Sequence, residues 1–297
     1  MDRLDAIRLF VRLVECGSFS AVGREEGIGQ PAVSKQIAAL ERNLGAQLVL
    51  RTSRQVSITD AGHTFYRAAR KLVDDYDVAE SAVGDRRHSP RGRVRLSVAP
   101  GHGRLCITPL LAEFFRRYPD VSVEMSVSEN AADLIAEGID LAIRHGKLAD
   151  STLTARKLSS TQMVLAAGVD YLRLHGEPES FSDLDAHQCI VFAKGRETRP
   201  WHLKAGREAV AFVPRGKIYT GDAEHIRAAV LEGLGIAQAP LWLFEDQMRL
   251  GKVKAVLPKL QPAKLPMHLV YAAGRRLPTR VKVLVDYLLD NYRHGEL

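Results

Sequence analysis

Long apolar runs are missing from this 297-residue chain. No stretch approaches the roughly 18 apolar residues of a membrane span, which argues against a membrane protein. The opening stretch, 1–12, is amphipathic and broken by charges, unlike the apolar core of an export signal. Cysteine is scarce: Cys16, Cys106 and Cys189 stand far apart, with no C-x-x-C and no zinc spacing. That excludes a disulfide scaffold and fits a reducing cytoplasm. The three are expected to be small buried hydrophobes, with a redox switch as the alternative. No G-x-S-x-G, G-x-x-x-x-G-K-[ST] or H-E-x-x-H motif occurs, and no paired carboxylates stand in a glycosidase-like context. Nothing here calls for an enzyme, a metal or a cofactor.

What is present is ordinary globular material, 46% hydrophobic and 26% charged. The net charge of +7 permits a nucleic-acid partner without requiring one. Residues 1–58 hold eight Lys/Arg against six Asp/Glu, an excess of only two. Any case for DNA must therefore rest on placement.

Leu4, Ile7, Val11 and Val14 form one helical stripe, which Gly17 ends. Ser18 or Ser20 can cap the next helix, which is short and runs to Gly27. Gln30-Pro31 opens a third helix with the stripe Val33, Ile37, Leu40, Leu44, stopped by Gly45. Two short strands, 47–51 and 55–58, flank Thr52-Ser53-Arg54 as a β-wing. The two helices around Gly27-Ile28-Gly29 read as a helix-turn-helix. On the outer side of its second helix lie Gln30, Ala32, Ser34, Lys35 and Gln36. Gln can pair with adenine, Lys can donate to guanine, and an Ala methyl can meet a thymine methyl. Ser18 and Thr52 can donate to phosphates, and Arg51 and Arg54 can add charge there or enter a minor groove.

Thr59 is an N-cap candidate for a helix of about 28 residues, roughly 40 Å long. Phe65, Ala69, Leu72, Tyr76, Ala79 and Val83 repeat at 4, 3, 4, 3, 4, the spacing of a two-helix seam. Phe65, Leu72, Tyr76 and Val83 are accordingly the candidate dimerisation residues. Packing within its own domain is the alternative. A polar hinge with Pro and Gly closes at residue 92. From Arg93 strands and helices alternate: strands at 94–99, 121–127 and 141–144, helices at 105–118 and 131–137. Further strands are expected at 163–167, 189–192, 236–239 and 267–272, and helices at 224–232, 241–250 and 279–292. This indicates an α/β unit with a largely parallel sheet.

The stretch SFSAVGREEGIGQPAVSKQIAALERNLGAQLVLRTSRQVSITDAG (Ser18–Gly62) resembles the LysR-type transcriptional regulators. The likeness extends through PLLAEFFRRYPDVSVEM, LIAEGIDLAIR and AAVLEGLGIAQAPLWL. It implies an overall α/β chain with three parts. A winged helix-turn-helix occupies 1–58, and a long linker helix and hinge 59–92. A type 2 periplasmic-binding-protein-like α/β domain spans 93–297. Its two subdomains would cover about 93–162 with 267–297, and about 163–266. Gln30, Pro31, Ser34 and Lys35 resemble the family's groove-facing positions, and Arg51 and Arg54 its wing. Lys35 stands where Arg is more usual and cannot make the same fork. Gly29 stands where a serine often caps.

The implied partners are double-stranded DNA, a small-molecule effector and a second copy, as homodimer or homotetramer, with RNA polymerase as a further candidate. The implied setting is the cytoplasm, at the nucleoid. In open α/β sheets ligands sit beyond the carboxyl ends of strands, where helix N-termini point. The candidate effector residues are therefore Pro100, Gly101, His102, Gly103, Ser128, Arg144, His145, Phe192, Thr220 and Asp222. Arg144 and the helix N-termini favour an anion such as a carboxylate. A satisfied structural histidine is the alternative role for His102 and His145. A solute-binding protein or an enzyme would be the competing functions, and neither an export signal nor a catalytic motif supports them.

Overall fold

The computed structural model describes residues 3–51, 56–83, 90–127, 134, 137–148, 153–194, 197–198, 200–205, 208–272 and 277–294. Two compact units are resolved by their internal packing. One comprises Met1–Val94, Tyr118–Ser122 and Arg275–Val283, the other Arg95–Arg117, Val123–Gly274 and Leu284–Leu297.

The first unit is built on helices α1 (Arg3–Cys16), α2 (Phe19–Glu25) and α3 (Gln30–Leu44), strands β1 (Val49–Arg51) and β2 (Val56–Ile58), and helix α4 (Asp60–Val83). The helical stripes become its core. Phe10 and Leu13 of α1, Val22 of α2, and Val33, Ile37 and Leu40 of α3 are buried with Tyr66 and Ala69 of α4. Ser18 caps α2 by accepting from Ala21 N at 3.3 Å, and Thr59 caps α4 by accepting from Gly62 N at 2.9 Å. Gly45 ends α3 in the left-handed region that glycine adopts without a Cβ clash. Strands β1 and β2 pair antiparallel, Leu50 opposite Ser57. The heptad stripe of α4 divides in space. Ala69 is buried and Phe65 half-buried, whereas Leu72 and Tyr76 stand 51% and 44% exposed. The face that packs on α1 is shifted toward Tyr66, Ala69, Arg70 and Val73. The Val83 side chain lies outside the described residues.

The second part of the chain forms β3 (Gly92–Val98), a short turn of helix α5 (Pro100–His102), a π-helical turn (Gly103–Ile107) and α6 (Thr108–Arg117). There follow β4 (Val121–Val127), β5 (Leu141–His145), β6 (Leu153–Thr161), β7 (Met163–Gly168), α7 (Val169–His175) and β8 (Cys189–Lys194). Next come β9 (Glu197–Thr198), β10 (Trp201–Ala205), β11 (Glu208–Phe212), β12 (Ile218–Thr220), α8 (Ala223–Leu231), β13 (Ile236–Pro240) and α9 (Glu245–Arg249). The chain ends with β14 (Val253–Ala255), β15 (Leu260–Pro262), β16 (Leu265–Ala272) and α10 (Thr279–His294).

Two sheets dominate, ordered β4-β3-β5-β16-β6 and β12-β8-β13-β7-β14. Each is mixed, which corrects the largely parallel expectation. β3 runs parallel to β5, and β12, β8 and β13 are mutually parallel, but β16 and β7 run antiparallel to their neighbours. Alternation gives the second sheet a core on each face. Leu165, Cys189, Val191 and Ile236 look one way, toward Trp201 and Leu203; Ala166, Ile190 and Ala237 look the other, toward Ile226 and Val230 of α8. The helix expected over 241–250 is instead a 3-10 turn, Leu241–Leu243, followed by α9.

Gly23 supports the helix-turn-helix sterically: a Cβ there would lie 2.7 Å from Ile28 O and 3.1 Å from Gln30 N. Gly23→Ala is expected to push the turn off α2 and to lower stability by about 1–3 kcal/mol, read from urea unfolding. An unchanged urea midpoint would show that the turn yields freely.

Candidate functional site

The recognition surface begins with what α3 does not bury. With Val33, Ile37 and Leu40 inward, the 3.6-residue period turns Gln30, Pro31, Ala32 and Lys35 outward, all exposed, and leaves Ser34 and Gln36 half-buried at the margins. The N-terminal end of the helix is set by Gly29 in extended conformation and Pro31 in the first turn. Ser20 Oγ donates to Gln30 Oε1 at 3.1 Å, tying α2 to the first residue of α3. Ser18 uses its oxygen for the cap, and its hydroxyl hydrogen remains able to donate.

Charged side chains brace this arrangement. Arg12 Nε and Nη2 donate to the two carboxylate oxygens of Glu25, both at 2.8 Å, a fork that joins α1 to the end of α2. Glu41 Oε1 accepts from the backbone of Leu48 at 2.8 Å and of Val49 at 3.0 Å, joining α3 to the wing strand. Arg51 is the last residue of β1; its side chain, Thr52 and Arg54 lie outside the described residues.

The candidate effector residues divide into those brought together and those kept apart. His102 and His145 meet edge to face, ring centroids 4.7 Å apart. His102 is buried and His145 half-buried, and Trp242 lies 5.3 Å from His102 and 6.2 Å from His145. Tyr292 Oη and His102 Nε2 are 2.7 Å apart. Pro100, Gly101 and His102 form the helical turn itself, and a Cβ on Gly101 would lie 3.5 Å from the Trp242 ring and 3.1 Å from Glu224 Oε1. A Cβ on Gly103 would lie 3.0 Å from Val98 and 3.1 Å from Met125.

Arg144 turns away from this group. It lies next to His145 on β5, so the pleat sends it to the opposite face, where Nη2 donates to Ser97 Oγ at 2.9 Å. Thr220 Oγ1 accepts from Asp222 N, and Asp222 caps α8 by accepting from Glu224 N at 2.7 Å. Phe192 packs among the apolar residues beneath α8. Ser128 lies outside the described residues.

Four residues of this region carry no flag in the sequence: Arg104, Glu224, Trp242 and Tyr292. Arg104 donates to Glu224 through three contacts of 2.8, 3.0 and 3.2 Å, although 120 positions separate them. Their only sequence signal is adjacency, one residue beyond the glycine-rich turn and one residue inside α8.

Burial holds both imidazoles well below their usual 6.5, His145 down to about 4. Burial likewise raises the Tyr292 phenol and pushes the thiols of Cys106 and Cys189 up to about 12 and about 11. Cys16 is exposed, and desolvation raises its thiol too. Thiols held protonated are weak nucleophiles, which weighs against a redox switch at these positions. Among the described residues no group of three or more His, Cys, Asp or Glu is placed to hold a metal ion. Among them, too, no helix is long and apolar enough to cross a membrane.

The histidine pair has a pH consequence. An imidazole with a lowered folded-state pKa binds its proton more readily in the unfolded chain, so stability is full above 6.5 and declines as pH falls toward 4. Urea midpoints are expected to drop between pH 6.5 and about 5, above the range where most carboxylates titrate. His145→Phe should flatten that part of the curve; an unaltered slope would place the decline elsewhere.

Comparison with known proteins agrees with this architecture. Residues 4–63 match the family model described as bacterial regulatory helix-turn-helix protein, lysR family, and residues 87–293 match the LysR substrate binding domain. The chain is 32% identical over 294 residues to a probable HTH-type transcriptional regulator, LtrA, of Klebsiella pneumoniae, covering 98% of this chain and 95% of that one. It is 28% identical to the HTH-type transcriptional activator AaeR of Escherichia coli, covering 98% and 94%. Among solved structures, CrgA of Neisseria meningitidis, a LysR-type transcriptional regulator, superposes with TM-score 0.64 at 28% identity, covering 97% of this chain and 98% of that one. The capped helix-turn-helix with its strand pair thus coincides with one family match and the two-sheet α/β module with the other, most of α4 lying between them, and the chain belongs to the LysR family of DNA-binding transcription regulators.

Proposed function

We propose that this regulator reads double-stranded DNA with the exposed N-terminal ridge of α3 and is switched by a small molecule bound in its C-terminal domain. The observation that carries the first half is the ridge: Gln30, Pro31, Ala32 and Lys35 stand outward while every apolar stripe residue from Val33 to Leu40 is buried. Such a ridge fits a major groove, with Ser34 and Gln36 at its margins. Ser18, Arg51, Thr52 and Arg54 would hold phosphates or a minor groove. Lys35 would donate to a base edge as a single point, discriminating less sharply than an arginine fork.

The working division is 1–58 for DNA, 59–92 for linker and hinge, and 93–297 for the effector. Pro100, Gly101, His102, Gly103, Ser128, Arg144, His145, Phe192, Thr220 and Asp222 form the starting set for the effector site. The protein acts by binding rather than by chemistry, in the cytoplasm and at the nucleoid, and uses no cofactor. Effector binding would shift a pre-existing equilibrium between arrangements of the oligomer and so change the spacing or bend of the bound half-sites. Relatives of similar identity include a repressor of Pseudomonas aeruginosa and the activator AaeR, so the sign of control would be set by operator position and contact with RNA polymerase rather than by the fold.

A second copy would dock on α4. Leu72 and Tyr76 are large, apolar and exposed on a helix whose repeat is that of a paired seam. Nearer the start of α4 lies an open groove of about 550 Å³ lined by Leu44, Ala46, Leu48, Asp60, Ala61, Thr64, Phe65 and Ala68.

Footprinting on DNA flanking the chain's own coding region tests the reading. Lys35→Ala should cost about 1–3 kcal/mol at one base-pair position and relax preference there. A uniform loss with a smaller salt slope would make Lys35 a phosphate contact instead. For the oligomer, Leu72→Gln with Tyr76→Gln should shift sedimentation toward the monomer with the helical circular dichroism retained. A double variant that stays dimeric would place the interface elsewhere.

A further inference from the structure

The ring cluster behind the Pro100 turn is incompletely satisfied. His102 Nδ1, His145 Nε2 and Trp242 Nε1 are buried without a hydrogen-bond partner. The indole nitrogen can only donate. The His102 tautomer follows from its neighbour. The raised Tyr292 phenol stays protonated, and His102 Nε2 is its partner. If the phenol donates to Nε2, the imidazole hydrogen sits on Nδ1 and one donor is stranded. The opposite tautomer would strand the phenol hydrogen and a ring lone pair together, the worse arrangement. The cluster therefore offers N–H donors in excess of acceptors.

Next to it stands an ion pair, Arg104 with Glu224. Glu224 Oε1 lies 3.1 Å, and the Trp242 ring 3.5 Å, from where a Gly101 Cβ would be, so carboxylate and indole flank the same backbone. The Arg104 guanidinium grips Glu224 through two nitrogens. Arg104 is 53% exposed and Glu224 29%, so water and solutes reach the pair.

We propose that Glu224 is an internal stand-in for the effector. The site takes a small carboxylate, which pairs with Arg104 in place of Glu224 and presents its acceptors to the His102, His145 and Trp242 nitrogens. The inference rests on the reading that this domain binds a small effector, and it names the chemical class. A guanidinium fork matches a free carboxylate as well as it matches Glu224. Glu224 loses least on release, because it sits in the first turn of α8, where the helix end favours negative charge. A cationic ligand would find the one carboxylate of the pair already held and would leave the N–H donors unmet. Exchange of an internal partner for an external one also frees α8 from the Pro100 turn, a two-state change of the kind an effector can bias.

Chemical rescue in the full-length protein tests this, with sodium propionate as the probe and sodium chloride at equal ionic strength as the reference. Glu224→Ala empties the position opposite Arg104. Propionate should then raise Tm by a few degrees, propionamide should not, and Arg104→Gln with Glu224→Ala should lose the gain. By calorimetry, Glu224→Gln should bind propionate at least about tenfold more tightly than the wild type, because the internal competitor has lost its charge. Rescue that persists without Arg104, or that propionamide matches, overturns the proposal. So does a Tm gain of the wild type with methylammonium that Glu224→Ala abolishes. The underlying reading fails separately. Rescue by propionate, with an operator footprint that no small molecule alters, upholds the site and removes effector control. A footprint that only neutral or cationic compounds alter upholds effector control and removes the carboxylate.

Discussion

Burial of one stripe on α3 is the constraint from which the outward ridge of that helix follows. Val33 and Ile37 have no exposed surface and Leu40 has 6%, packed with Phe10, Leu13 and Val22. Each such side chain contributes about 1.5–3 kcal/mol on leaving water. The polar braces around them, such as the Arg12–Glu25 fork, contribute less individually, because surface ion pairs are screened. The orientation of α3 is therefore inherited from its core, with the Ser20–Gln30 hydrogen bond and Pro31 in the first turn as the ridge's own contributions. Ridge residues can change to suit a DNA sequence while the fold stays the same.

The C-terminal module applies strand alternation to the same end. Ala166, Ala167, Ala237 and Ala239 are small and buried on the central strands of the second sheet, which lets helices and neighbouring strands close on both faces. Polar chemistry is displaced to the ends of strands. The turn after β3 carries Arg104, β5 ends at His145, β13 leads to Trp242, and the turn after β12 leads to Glu224. The apolar layers thus fix the strands, and the strand ends bring residues from distant parts of the sequence to one place.

That division explains what was legible. The stripes of α1 and α3, the caps at Ser18 and Thr59, and the stop at Gly45 are local, so spacing alone places those helices. The strands β4 and β7 are similarly plain. β6 was not, because its burial does not alternate: Ala155, Arg156 and Lys157 are exposed in a row, and only Leu158 and Thr161 are buried. α7 begins after Gly168 with no side-chain cap, so no start signal marks it. Glycine-rich turns pointed to His102 and His145, yet which way each neighbour faces depends on the pleat: the same step that brings His145 to His102 sends Arg144 to Ser97. Arg104 with Glu224, and His102 with Tyr292, are 120 and 190 positions apart, and no local pattern links them.

Glu41 has a consequence of another kind. One carboxylate oxygen near the far end of α3 holds the first two amides of the wing arm, those of Leu48 and Val49. On the reading proposed for α3, the helix that would enter one groove and the strand that would lead toward the next are thereby held as a single caliper. A caliper does not adapt its jaws to the object. The DNA must supply the matching groove-to-groove distance, and sequences that narrow or bend easily reach it at lower cost. Base pairs that no side chain touches then enter into the choice of operator through their stiffness.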